Sequence, residues 1–253
     1  TIRLALPDMA WLAGALAVLE WPALGCAAGV LLLTGAAWWR QAASQYADVP
    51  LSLYLLGALA AAVMAERRGW NARTLALSGA LASLAAWTKN EGMLFLVVCG
   101  LTVAAVARGK ALAWLAGAAP VVVLTAAFKL VLAPGVRSFD AAQLSDAGRL
   151  TTVAAGFWKY ALTLGDLPAH PLLLAAVLGA ALGMKRPGWT LVPVALLLAG
   201  GFVMVWGTTN DLSWQIDTAV ERLWVQVLPA LLFWVALAMK RPAPPVAETR
   251  KKK

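Results

Sequence analysis

Apolar residues run almost without interruption over 9–19, 23–39, 51–65, 74–87, 93–107, 111–131, 170–184, 190–206 and 225–239, each run bounded by charged or turn-forming residues. A membrane-spanning helix needs about 20 such residues, and several of these runs fall short. The run 74–87 would cover only about 21 Å as a helix, so it must continue into flanking polar residues, sit in a thinned bilayer or be shielded by neighbours. Glu20, Trp21 and Pro22 leave open whether the first two runs are separate helices or one kinked helix. The pattern predicts an all-α, polytopic transmembrane bundle of about eight membrane helices, with the membrane domain over 1–239. Residues 240–253, Pro-rich and then basic, read as a disordered cytoplasmic tail near anionic lipid.

Composition strengthens this. Of 253 residues, 62% are hydrophobic and 13% charged, and the mean hydropathy is +0.76, whereas soluble domains are roughly a quarter charged. A soluble single domain is excluded. The longest polar stretch, 132–169, exceeds what a simple connection needs. It contains Phe139, Asp140, Asp146, Phe157, Trp158, Lys159, Tyr160 and Asp166, and predicts an interfacial amphipathic helix near 150–164 with Trp158 and Tyr160 at headgroup level. Trp38, Trp39, Trp87, Trp206, Trp214 and Trp224 lie close to predicted outer helix ends, where interfacial anchoring is the expected role.

The net charge of +9 would point to nucleic acid in a soluble protein, but here it sorts by loop. Segments 66–73, 108–110, 185–186 and 240–253 hold thirteen basic and two acidic residues; segments 39–49, 88–92, 129–168 and 207–224 hold seven basic and eight acidic. That alternation is a positive-inside signature, so the expected protein is a multi-pass inner (plasma) membrane protein with a cytoplasmic C-terminus. No single basic domain remains for nucleic acid. Cys26 and Cys99 lie in apolar runs without metal-ligand spacing and read as small buried side chains. The chain opens on Thr1 with no basic leader and apolar core, which is expected of an N-terminally truncated sequence. No internal repeat or matched pair of broken helices marks a transporter.

Three polar motifs stand at predicted outer helix ends: Gln45 to Pro50, Trp87 to Gly92, and Asp217 to Arg222. Ionisable groups there must be paired or face a wet cavity. Together they supply carboxylates, an ammonium that can contact phosphate as a point charge, and a guanidinium with a planar fork for phosphate or carboxylate. Such a set suits transfer from an anionic lipid carrier: the phosphate is held and neutralised while a carboxylate deprotonates an acceptor hydroxyl. The candidate catalytic residue is Asp48; the candidate substrate-binding residues are Tyr46, Lys89, Glu91, Glu221 and Arg222. Each has a plainer alternative. Asp48 could stabilise the first turn at Pro50, Lys89 and Lys129 could snorkel, Glu91 could pair structurally with Lys89, Arg222 could pair with Glu221 or a nearby outer acid, and Tyr46 could anchor at the interface. Asp140, Asp146 and Asp166 read as solvated loop residues, and lone His170 has no ligand partner at helical spacing, so no metal site is assigned.

Tyr46-Ala47-Asp48-Val49-Pro50, followed some forty residues later by Thr88-Lys89-Asn90-Glu91-Gly92, resembles bacterial membrane glycosyltransferases similar to dolichyl-phosphate-mannose protein mannosyltransferases, of the GT-C class. Glu221-Arg222-Leu223, ahead of an apolar helix containing Pro229, resembles their later part. The resemblance covers about 23–239. It implies a multi-helix GT-C fold, a polyprenyl-phosphate sugar donor, a lipid, glycan or protein acceptor, and a site at the extracytoplasmic face. A divalent metal is compatible with the class, although no ligand cluster marks one. Family members carry an acidic first-loop residue as the main base. Here only Asp8 and Glu20 precede residue 23, in no recognisable motif, which places that base in sequence upstream and leaves the fragment alone expected to be inactive. Two other classes stay open: a transporter or flippase for lipid-linked or anionic solutes, and a non-catalytic envelope-assembly scaffold.

Overall fold

The computed structural model describes residues 14, 29, 30, 32, 34–44, 46–132, 139–163 and 188–238. Expectations for the runs 9–19 and 170–184, most of 23–35, Cys26, Gln45, Asp166, His170, Lys185, Arg186 and the tail lie outside them. The described residues are mostly helical and form no named strand. The helices are α1 (Ala36–Ala43), α2 (Asp48–Arg67), α3 (Ala72–Thr88), α4 (Asn90–Val106), α5 (Ala111–Val131), α6 (Ala147–Thr163), α7 (Leu191–Trp206), α8 (Leu212–Gln215) and α9 (Glu221–Ala238). A π-helical turn, Ile216–Val220, joins α8 to α9.

Three helical segments are long and apolar enough to cross a membrane: Asp48–Arg67, Ala111–Val131 and Leu212–Ala238. They indicate a membrane protein. Two shorter apolar helices, Asn90–Val106 and Leu191–Trp206, accompany them. The short run 74–87 does extend into its polar flanks, as α3 of 17 residues; Asn71 caps it, its side chain accepting from the Thr74 N–H at 3.2 Å.

The long helices differ in what surrounds them. The apolar windows of Asp48–Arg67 and Leu212–Ala238 are 78% and 72% buried, whereas that of Ala111–Val131, the most apolar, is only 17% buried. In water such an exposed face would drive association; in a bilayer it needs only lipid. Helix α2 therefore serves as the bundle core, packed against α3 and α9, while α5 stands at its edge against α3. Small residues make that edge tight. A Cβ at Gly79 would lie 2.0 Å from the Trp114 carbonyl oxygen and one at Gly117 1.9 Å from that of Ala76, so the α3–α5 crossing brings backbones together as small-residue crossings do in membranes.

The amphipathic helix expected near 150–164 forms as α6, starting three residues earlier. Asp146 caps it, accepting from the N–H groups of Gly148 (2.8 Å) and Arg149 (3.1 Å). Its apolar face carries Val153 into a second small core with Val205, Ile216, Val220 and Leu223. Arg149 donates to the carbonyls of Trp206 (3.3 Å) and Thr208 (2.8 Å), satisfying the C-terminal end of α7. Trp158 and Trp214 remain exposed, as anchoring requires, but Trp38 is 1% exposed. Its expected place at the interface is corrected: α1 lies against α2 and α9, and Trp38 belongs to the main core.

The bundle has two chemically distinct ends. At one, Lys110 donates to the Gly69 carbonyl (2.8 Å), Trp189 donates to Glu66 (3.0 Å), and the Trp70 and Trp189 rings meet at 6.2 Å. Arg67, Arg68, Arg73 and Arg108 are exposed beside these turns. The other end gathers acids, amides and cations.

Candidate functional site

Lys89 is the single residue between α3 and α4, in extended conformation with φ −160° and ψ 158°. Two helices can reverse over one residue only if their backbones touch. Gly92 permits this, since a Cβ there would sit 1.9 Å from the Ala85 carbonyl oxygen. The reversal aims the Lys89 side chain at the start of α2, where Asp48 occupies the first turn. On α9, Arg222 and Gln226 are four residues apart and share a helix face, with the π-helical turn immediately before Glu221.

These elements converge on the Asp48 carboxylate, whose side chain is 0% exposed. Lys89 Nζ donates to Oδ1 at 2.8 Å, Gln226 Nε2 to the same oxygen at 2.5 Å, and Arg222 Nε to Oδ2 at 2.8 Å. Lys89 also pairs with Glu91 at 2.9 Å. The Arg222 guanidinium lies over the exposed Tyr46 ring, 4.6 Å from its centroid. Its terminal nitrogens have no hydrogen-bond partner among the described residues, and the side chain is 26% exposed. Beside it Glu221 accepts from Arg40 Nη2 at 2.6 Å. Nearby on the α5 side, Lys129 Nζ donates to Asn90 Oδ1.

All six sequence-derived candidates thus fall at one end of the bundle, and four of them, Tyr46, Asp48, Lys89 and Arg222, form one connected set, with Glu91 reaching it through Lys89. Glu221 pairs with Arg40 rather than with its neighbour Arg222. Asp217 stands apart, accepting a long hydrogen bond of 3.4 Å from Tyr160. Of the acids read as solvated loop residues, Asp140 accepts from the Ala142 N–H (3.0 Å) and Asp146 caps α6. Asp211 likewise accepts from the Trp214 N–H (2.8 Å) and the Ser213 hydroxyl (2.7 Å), and these bonds hold its carboxyl below the ordinary carboxylate range.

Sequence reasoning passed over Gln226 and Arg40. The signal for Gln226 was an amide in an otherwise apolar helix one turn beyond Arg222. Its Oε1 is buried without a partner, an orientation explained by the use of its amide nitrogen on Asp48. No group of three or more His, Cys, Asp or Glu residues that could hold a metal occurs among the described residues.

Chemically, the set is an anchored pair of cations. A buried carboxylate with both oxygens occupied holds one ammonium and one guanidinium in place, and their remaining donors can meet an anionic oxygen. Compared with protein-family models, curated proteins and solved structures, the chain has no match. The GT-C resemblance therefore rests on its motifs alone.

Proposed function

We propose that this chain is the membrane domain, or a part of it, of a glycosyltransferase that moves a sugar from a polyprenyl phosphate to a lipid, glycan or protein acceptor at the extracytoplasmic face. The observation that carries the reading is the Asp48-centred set: two cations, one from the α3–α4 reversal and one from α9, fixed by one buried carboxylate at a helix end. In this reading Lys89 and Arg222 bind the donor phosphate and stabilise the charge left on it as the sugar departs. Tyr46 supports Arg222. Asp48, with no exposed surface, acts as a positioning residue, since a general base must reach the proton it removes. The acceptor's base then belongs to another carboxylate.

Two further features support this reading over transport. Asp48 and Lys89 lie at helix ends and Arg222 in the first turn of α9 rather than at mid-helix, where transporters place their ion and substrate ligands. The opposite end carries the exposed arginines, which by the positive-inside rule faces the cytoplasm and turns the Asp48 end outward.

The test is a donor-against-acceptor split in reconstituted full-length protein. Lys89→Ala is expected to raise KM for the polyprenyl-phosphate sugar about tenfold or more, the scale of a lost charged hydrogen bond, with acceptor KM little changed. A defect confined to acceptor use would contradict the phosphate role.

A further inference from the structure

Two cavities follow one another along α5 and make up a cleft. Its mouth, a cavity of about 250 Å³, is lined by Trp87, Thr88, Lys89, Asn90, Phe128 and Lys129 among others; no acidic side chain lines it. Trp87 and Phe128 meet there at 5.5 Å between ring centroids. One helical turn further down α5, a trough of about 530 Å³ opens between α4 and α5, lined entirely by apolar or small residues, including Leu96, Leu101, Ala104, Trp114, Ala119 and Val122. The α5 residues of the trough span 111–122, about 17 Å of helix. Its rim is open at Val97, Leu101 and Leu115, which are 56%, 67% and 53% exposed.

We propose that this cleft seats the lipid donor itself, with the isoprenoid chain in the α4–α5 trough and Lys129 as a second phosphate contact beside Lys89; the proposal rests on the donor reading above. Lys129 meets an amide, that of Asn90, and Lys89 keeps one N–H beyond the two engaged by Asp48 and Glu91, so the two ammoniums can together hold one compact anion. The single apolar trough directly beneath matches one long chain, not the paired chains of a phospholipid. Lys89 belongs to both the mouth and the Asp48 set, so a phosphate in the mouth lies against the same ammonium that Asp48 holds. Access is then sideways from the bilayer, which the open rim allows. Lys129, an expected snorkelling lysine, becomes a binding residue positioned by Asn90.

The experiment uses the full-length chain in nanodiscs and a polyprenyl phosphate carrying a photoreactive diazirine in its chain, with labelled peptides mapped by mass spectrometry. Labelling is expected to concentrate on α4 and α5 and to fall when Ala119→Phe fills the trough. Ala104→Phe, from the facing helix, gives the same readout independently should the first variant fail to fold. Lys129→Gln is expected to weaken polyprenyl-phosphate binding about tenfold and leave binding of the uncharged polyprenol unchanged. Labelling elsewhere, unaffected by either Phe variant while sugar transfer continues, would overturn the cleft assignment and leave the donor reading intact. Equal labelling of the trough by a diacyl phosphatidylglycerol probe would also overturn it. Absence of polyprenyl-phosphate binding at any site would remove both.

Discussion

Asp48 joins residues 41, 174 and 178 positions away through one carboxylate. Burying a charge is tolerable only with such partners, and removing one side leaves the others uncompensated. Asp48→Ala should therefore destabilise the bundle by about 3–5 kcal/mol, the scale of a broken buried pair, read as a lowered thermal midpoint in detergent. An unchanged midpoint would mean that the carboxylate organises nothing. Asp211 makes a different prediction. Its folded-state pKa is depressed by the Trp214 N–H and the Ser213 hydroxyl, so its stabilising effect is complete above the unfolded value, near 3.9, and is lost as pH falls through the lower folded value. The stability difference between wild type and Asp211→Ala should be constant from neutral pH to about 4 and shrink below it; a difference that ignores pH would contradict the capping geometry. Asp48, Lys89 and Arg222 were legible because charged residues at apolar helix ends demand partners. Gln226 and Arg40 were not, because their partners depend on which helices meet, and no local pattern encodes that.

Among the elements, the α3–α5 pair is the most sensitive to volume. Gly117→Ala would drive a Cβ to 1.9 Å from a backbone oxygen, which neither helix can yield without moving apart. A loss at or above the upper end of the usual 1–3 kcal/mol for overpacking, about 3 kcal/mol, is expected. Gly188→Ala, whose nearest neighbour is the Thr190 hydroxyl at 3.5 Å, should be neutral. Equal midpoints for the two variants in thermal denaturation would refute the close crossing. Helix existence was readable from the apolar runs: Ala111–Val131 coincides with its run, and α2, α4, α7 and α9 depart by a few residues where polar ends such as Asp48 and Glu221 continue the helix. Two local features escaped the pattern. The reversal at Lys89 depends on Gly92 touching Ala85, and the π-helical turn before Glu221 depends on how α8 meets α9. Trp38 was misplaced because an aromatic near a helix end looks the same from sequence whether α1 faces lipid or lies against α2 and α9.

Taken as a whole, the molecule separates its chemistry by end: exposed arginines around 67–73 and 108, and the Asp48 set at the opposite pole. The alternation of basic and mixed loops anticipated this separation, since consecutive spans reverse direction. The apolar runs could not tell which helices form the core. Ala111–Val131 and Asp48–Arg67 are both apolar enough to span, yet the window of one is 17% buried and that of the other 78%, a distinction made by packing partners. A reading in which anchored cations hold a lipid phosphate makes turnover depend on that set as a unit. The direct measurement is sugar release from a panel of polyprenyl-phosphate sugars by purified, reconstituted full-length protein, with Asp48→Asn, an isosteric change that removes the counter-charge, as the comparison and folding checked by gel filtration. Turnover with at least one donor, reduced by about 100-fold or more in folded Asp48→Asn, is the predicted result. Turnover unchanged in that variant, or no turnover with any donor by folded wild-type protein supplied with acceptor, would contradict it.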